Sequence, residues 1–159
     1  MFLWGSIKKR VVRKVKKPKH STYLAHKEEA RALITTRLEF FNPTGEFVYH
    51  RVSIRDQRRC WGSCSSKGNL NFSYKLLFLP PCLRDYIVVH ELCHLKVLNH
   101  SAQFWTEVEE RMPDYVCRMK HLRGIEKTLG TSIGALKKYQ LSHVSEYCES
   151  CMTVVPALK

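Results

Sequence analysis

Residues 90–100 read HELCHLKVLNH, from His90 to His100. His90, Glu91 and His94 fall into the pattern H-E-x-x-H. On an α-helix His90 and His94 lie about 400° apart, so both imidazoles occupy one face, one turn from each other. Two nitrogens so placed can each bind a zinc ion at about 2.0–2.1 Å. Glu91 stands about 100° round the helix from His90, displaced from an easy ligand position. It can still reach a water beside the metal and act as its base. The preceding run Tyr86-Ile87-Val88-Val89 is apolar and would bury this helix, as a rigid metal site needs. The plainer alternative is a buried amphipathic helix that carries two histidines by chance. A third histidine, His100, six residues after His94, weighs against it.

His100 poses a geometric problem. In an unbroken helix it would point about 280° away from His90. The helix must therefore stop first, and Asn99 is the expected stop, because Asn tolerates the left-handed conformation that ends helices. The rival is a carboxylate ligand from the next helix, Glu107 or Glu110. His100 is the preferred reading.

Outward from this stretch, the elements alternate with clear breaks. Ser21 or Thr22 can cap a helix running to about Phe41, with Ala25, Leu33, Ile34, Leu38 and Phe41 on one side. Asn42-Pro43-Thr44-Gly45 ends it. Glu46 to Arg55 alternates, with Phe47, Tyr49, Val52 and Ile54 apolar, and reads as a strand. Arg58 to Gly68 is too rich in Gly, Ser and Cys for a core element, and Lys67-Gly68 turns the chain into a second strand, Asn69 to Ser73. Trp61-Gly62 is either a loop at a cleft mouth or a packing turn. Tyr74 to Leu79 is a strand or a short turn that ends at Pro80-Pro81. The H-E-x-x-H helix then spans about Leu83 to Leu98, with Asp85 in its first turn. Ser101 caps a helix to about Met112, and Pro113-Asp114 starts another that Gly130 ends near Leu129. This order predicts an α+β domain over residues 20–130, with a basic arm at 1–19 and a loosely held tail at 131–159.

The length of 159 residues is enough for one sizeable core. No apolar run approaches the ~20 residues of a membrane span, so no membrane partner is expected. Phe2, Leu3 and Trp4 precede the basic residues, the reverse of a secretory signal, and the expected location is cytoplasmic. Seven irregularly spaced cysteines argue against a secreted disulfide framework. Cys148 and Cys151 form one C-x-x-C without the second pair of a zinc ribbon, and read as two reduced cysteines. A zinc shared between two chains is the alternative.

The net charge of +13 is uneven. Lys8, Lys9, Arg10, Arg13, Lys14, Lys16, Lys17 and Lys19 supply +8 without an intervening acid. Such a block is ordinarily a solvated arm, and its functional reading is contact with nucleic-acid phosphates. The interleaved Val11, Val12 and Val15 would also let it pair as an edge strand.

Two longer stretches carry a resemblance. RCWGSCSSKGNLNFSYKLLFLPP at Arg59–Pro81, then DYIVVHELCHLKVLNHSAQFW at Asp85–Trp105, resemble the YgjP-like family of zinc metallopeptidases, relatives of the SprT-like proteases. The resemblance implies a zincin-like fold, one Zn2+ per chain held by His90, His94 and His100, and Glu91 as the catalytic residue. It also implies that the region before the first helix is shortened here, leaving a more open cleft. The expected reaction is hydrolysis of a peptide bond in a peptide or protein substrate, with a zinc-activated water and Glu91 as general base. Two alternatives stand beside it. One is a nucleic-acid-associated SprT-like protease or factor recruited by the basic arm. The other is a zinc-binding interaction module without turnover.

Overall fold

The first helix, α1, runs Ser21–Phe41 in a computed structural model that describes residues 21–129 and 133–142. Its buried stripe is Ala30, Ile34 and Leu38, extended at the ends by Tyr23 and Phe41. Ala25, expected on that stripe, is exposed. It lies five residues before Ala30, about 140° round the helix.

The strand expected over Glu46–Arg55 is reduced to β1, Arg51–Arg55. Parity explains the loss. Phe47 and Tyr49 are odd-numbered, while Val52 and Ile54 are even, so one regular strand cannot turn all four to one face. The chain bends instead. The Asn42 side chain accepts from the Phe47 N–H and donates to its carbonyl, both at 3.0 Å. This clasp buries Phe47 without any strand.

The Gly-, Ser- and Cys-rich segment does hold a regular element, contrary to the sequence reading: β2, Gly62–Cys64. It pairs antiparallel with β3, Asn69–Ser73, placing Gly62 opposite Phe72 and Cys64 opposite Leu70. The turn between them closes through Gly68 N–H to Ser65 carbonyl at 2.9 Å. Gly68 has φ +68°, a conformation that favours glycine. β1 pairs parallel with β3, so the mixed sheet has the order β1-β3-β2.

A 3₁₀ turn, Tyr74–Phe78, leads to α2, Pro81–Cys93. Pro81 opens this helix rather than ending the preceding segment, because the first helical position needs no N–H. Asp85 therefore sits in the second turn, not the first. There it receives two 2.7 Å hydrogen bonds from Arg37, tying α2 to α1. α3 follows at Ala102–Arg111, α4 at Tyr115–Leu129 and α5 at Ile133–Ser142. α5 lies within residues 131–159, expected as a loosely held tail, yet its Leu136 is buried and it packs on the 3₁₀ turn.

α2 is the central element, packed against α1, α3, α4 and β2. Leu83, Val88, Val89 and Leu92 on it are fully buried. The result is the expected α+β architecture with a small mixed sheet. Among the described residues no helix is long and apolar enough to cross a membrane. The basic arm, Gly130, and Cys148 with Cys151 lie outside the described residues.

Candidate active site

α2 ends five residues earlier than its sequence suggested. Cys93 is its last residue, and His94 caps it in helical conformation, its backbone N–H reaching the His90 carbonyl at 3.3 Å. The chain then coils tightly, with Leu95 N–H on Leu92 and Val97 N–H on Cys93. Asn99 is not the stop, because no non-glycine residue among those described has a positive φ. Its side chain instead accepts from the Ser101 N–H at 3.2 Å, setting up the start of α3. Early unwinding swings His100 back over the helix.

The consequence is a triangle of ring nitrogens. Nε2 of His94 lies 3.2 Å from Nε2 of His90 and 3.2 Å from Nε2 of His100. The third side, His100 to His90, is 3.1 Å. A tetrahedral zinc with bonds of about 2.0–2.1 Å needs ligand nitrogens about 3.3–3.4 Å apart, close to this triangle. The three nitrogens cannot satisfy one another. Each either carries a proton or offers a lone pair, so at least two are alike and face each other unpaired. A cation satisfies all three. Among the described residues these histidines are the one His/Cys/Asp/Glu group placed to hold a metal ion.

Electrostatics favour neutral rings at His90 and His94. His90 is pushed down to about 3 by burial and by the neighbouring His94 and His100. His94 is lowered as well, chiefly by burial, although its hydrogen bond to Val97 opposes this. That bond joins Nδ1 to the Val97 carbonyl at 3.0 Å. Donation from Nδ1 leaves the Nε2 lone pair free for a metal, the usual support of a ligating histidine. His90 Nδ1 is buried with no partner of its own.

Glu91 is buried, and its Oε2 also lacks a partner. Burial pushes its carboxyl up to about 8. Trp61-Gly62 explains how a carboxylate fits there. Trp61 is buried and donates from Nε1 to Glu126 at 2.8 Å, fixing β2 against α4. A Cβ on Gly62 would stand 2.7 Å from Glu91 Cγ and 2.7 Å from its Oε1. Gly62 thus matters for close approach, not for an unusual φ. Both readings of the segment meet here, since a packing turn forms one side of the site.

The aromatic support was not apparent from the sequence. Phe104, fully buried on α3, touches all three imidazoles, with centroids 4.9 Å from His90, 4.3 Å from His94 and 4.8 Å from His100. Trp105 is stacked between His100 at 5.7 Å and Tyr115 at 5.4 Å. The sequence signal was their place on the helix after Ser101 and at the end of the stretch that resembles the family, four and five residues after His100. The rival ligands lie elsewhere. Glu107 binds Arg111 and Lys96 at 2.8 and 3.2 Å, and Glu110 lies 3.8 Å from Arg111.

A buried helix carrying a histidine pair and an adjacent carboxyl, beneath a small mixed sheet, defines a zincin-like metallopeptidase fold. The chain belongs to the YgjP-like family, whose metallopeptidase domain it matches over residues 6–124. It is also similar to the crystal structure of the metallopeptidase zymogen abylysin of Pyrococcus abyssi. The TM-score is 0.51 at 28% identity, covering 60% of this chain and 94% of that one. No curated protein matches the chain.

Proposed function

We propose that the protein is a zinc-dependent peptidase whose base is Glu91 and whose metal ligands are His90, His94 and His100. The observation that carries this reading is the buried Glu91 carboxyl, its Oε2 without a partner, directly after His90 on the helix where three imidazole nitrogens converge. When bound, zinc would supply Lewis acidity, acidifying water and polarising a carbonyl. The three imidazoles hold it, and Phe104 holds the imidazoles. Glu91 takes a proton from the attacking water at its carboxylate and returns it to the leaving amine. Its high proton affinity in the metal-free fold would fall beside a dication, leaving the carboxylate able to accept.

A peptide substrate is supported by the sheet. The bonds Ser73 N–H to Trp61 carbonyl and Ser65 N–H to Asn69 carbonyl commit the odd-numbered residues of this segment to β3. Gly62 and Cys64 therefore direct their backbone N–H and C=O to the open edge of β2, the outermost strand. Gly62 on that strand stands against Glu91, so an extended backbone whose amide pairs along this edge would pass close to the carboxyl.

A non-catalytic zinc module would need a fourth protein ligand to close the site. The three-histidine group has no fourth among the described residues. Zinc analysis combined with a broad peptide-library cleavage screen, on wild type and Glu91→Gln, tests the reading. Zinc in both proteins and cleavage by wild type alone is the expected result. No cleavage of any peptide by zinc-loaded wild type would favour the interaction module.

A further inference from the structure

The sheet has a second face, away from Glu91. Side chains alternate along each strand, so the even-numbered Ile54, Leu70 and Phe72 turn into the core, where each is at most 3% exposed. The odd-numbered residues form the outer face. They are Arg51, Ser53 and Arg55 on β1, Asn69 and Asn71 on β3, and Ser63 on β2; Ser73, the last residue of β3, is odd-numbered too but fully buried and lies outside this face. None is apolar and none is acidic.

This face is ordered by its own hydrogen bonds. Arg55 Nε donates to Asn71 Oδ1 at 2.8 Å, and Asn71 Nδ2 donates to Ser63 Oγ at 3.3 Å, so a polar ladder crosses all three strands. Cations continue beyond both ends. At one end the Lys67-Gly68 turn meets His50, whose N–H donates to the Gly68 carbonyl at 2.9 Å. At the other, exposed Arg58 and Arg59 lead into β2. From His50 to Lys67 the chain has five Lys or Arg residues and one acid, Asp56. Asp56 lies towards the buried Lys75, 3.7 Å away. Arg51 and Lys67 are exposed and make no ion pair among the described residues.

We propose that this outer face of the sheet is a nucleic-acid-binding surface that holds the sugar–phosphate backbone without reading bases. The absence of apolar side chains decides the partner. A protein interface needs a desolvated apolar centre, and a membrane surface needs apolar residues to insert. Protein–nucleic-acid interfaces are instead polar and strongly positive. Guanidinium forks with neighbouring amides and hydroxyls are the usual phosphate contacts. The cations are spread along the strands, Arg51 and Arg55 about 13 Å apart at Cα, which suits a chain of phosphates rather than one small anion. Gly62 meets Glu91 on the opposite face, so a bound strand leaves the metal site open.

The test uses short, labelled single-stranded and duplex oligonucleotides of mixed sequence, titrated against salt. Full-length protein is compared with a full-length chain whose eight arm cations from Lys8 to Lys19 are replaced by glutamine, so that the basic arm is separated from the sheet. Arg51→Gln with Lys67→Gln removes two charges and leaves the Arg55–Asn71–Ser63 ladder intact. In the chain with the neutral arm, this pair should weaken binding. It should also make the log–log salt slope shallower by about 1.4 on a single strand, two contacts at about 0.7 each. Arg51→Lys with Lys67→Arg should restore it. Unchanged thermal midpoint and zinc content certify the fold, and Arg55→Gln is the second variant should the pair fail to fold. The proposal is overturned if the chain with the neutral arm binds no nucleic acid, or if Arg51→Gln with Lys67→Gln leaves affinity and slope unchanged. Polyglutamate binding as tightly as the oligonucleotides would also overturn it and point to an acidic protein.

Discussion

At the scale of single residues, Glu91 and Gly62 make the sharpest predictions. Glu91→Gln keeps the shape and removes the proton acceptor. It should retain zinc and lose peptide cleavage by roughly 10²–10⁴, as measured by initial rates. Gly62→Ala should retain zinc while lowering cleavage, because a Cβ 2.7 Å from Glu91 Cγ forces that side chain out of place. Equal rates for Gly62→Ala and wild type would show that the contact does not position the base. Glu91 also gives the zinc-free protein a pH signature. Its carboxyl sits at about 8 in the fold against an ordinary value of 4.5. As pH rises between these values, the unfolded chain sheds a proton that the folded chain keeps, so folding stability falls. His90 acts in the opposite sense, held at about 3 against 6.5, so its contribution is lost as pH falls below 6.5. Between pH 6.5 and 8 the Glu91 effect therefore stands apart from that of His90. Denaturant titrations of zinc-free protein should show wild type losing stability across that window relative to Glu91→Gln.

At the scale of elements, the site depends on how α2 ends and on what α3 places beneath it. His100 reaches the other two histidines because the helix unwinds after Cys93. His100→Ala should weaken zinc binding far more than Glu107→Ala or Glu110→Ala, by competition with a chromophoric chelator. A larger loss from either glutamate would overturn the three-histidine site. Phe104 and Trp105 extend this argument to α3. Groups that orient metal ligands commonly contribute about 10–100-fold in metal affinity. Trp105→Leu should cost zinc affinity on that scale, since it removes the ring that stacks on His100 and is itself backed by Tyr115. If affinity holds while only the thermal midpoint drops, Trp105 is packing alone.

At the scale of the whole molecule, zinc should be part of the fold's stability. His90 and His94 sit at the end of α2, and α2 packs on α1, α3, α4 and β2. A ligand that binds the native state alone stabilises by RT ln(1 + [L]/Kd), about 4.1 kcal/mol at a thousandfold excess over Kd. Chelation should therefore lower the thermal midpoint of wild type, and His94→Ala should show little further drop. Identical midpoints with and without chelator would place any zinc outside the cooperative core.

The sequence by itself determined the order of the main helices, the turn at Gly68 and the family to which the chain belongs. These rest on local chemistry. Helix periodicity, glycine at a positive φ and the unusual string from Trp61 to Trp105 are all properties of neighbours in the chain. His90 and His94 shared a helix face for the same reason. Tertiary structure alone decided the rest. It shortened the first strand, because residues of opposite parity were buried by bending the chain round Asn42. It made an edge strand of Gly62–Cys64, because the missing side chain lets β2 approach Glu91. It also brought His100 and Phe104 to the imidazole pair. Where α2 stopped and what packed beneath it depended on contacts between α2 and α3, which no local pattern encodes.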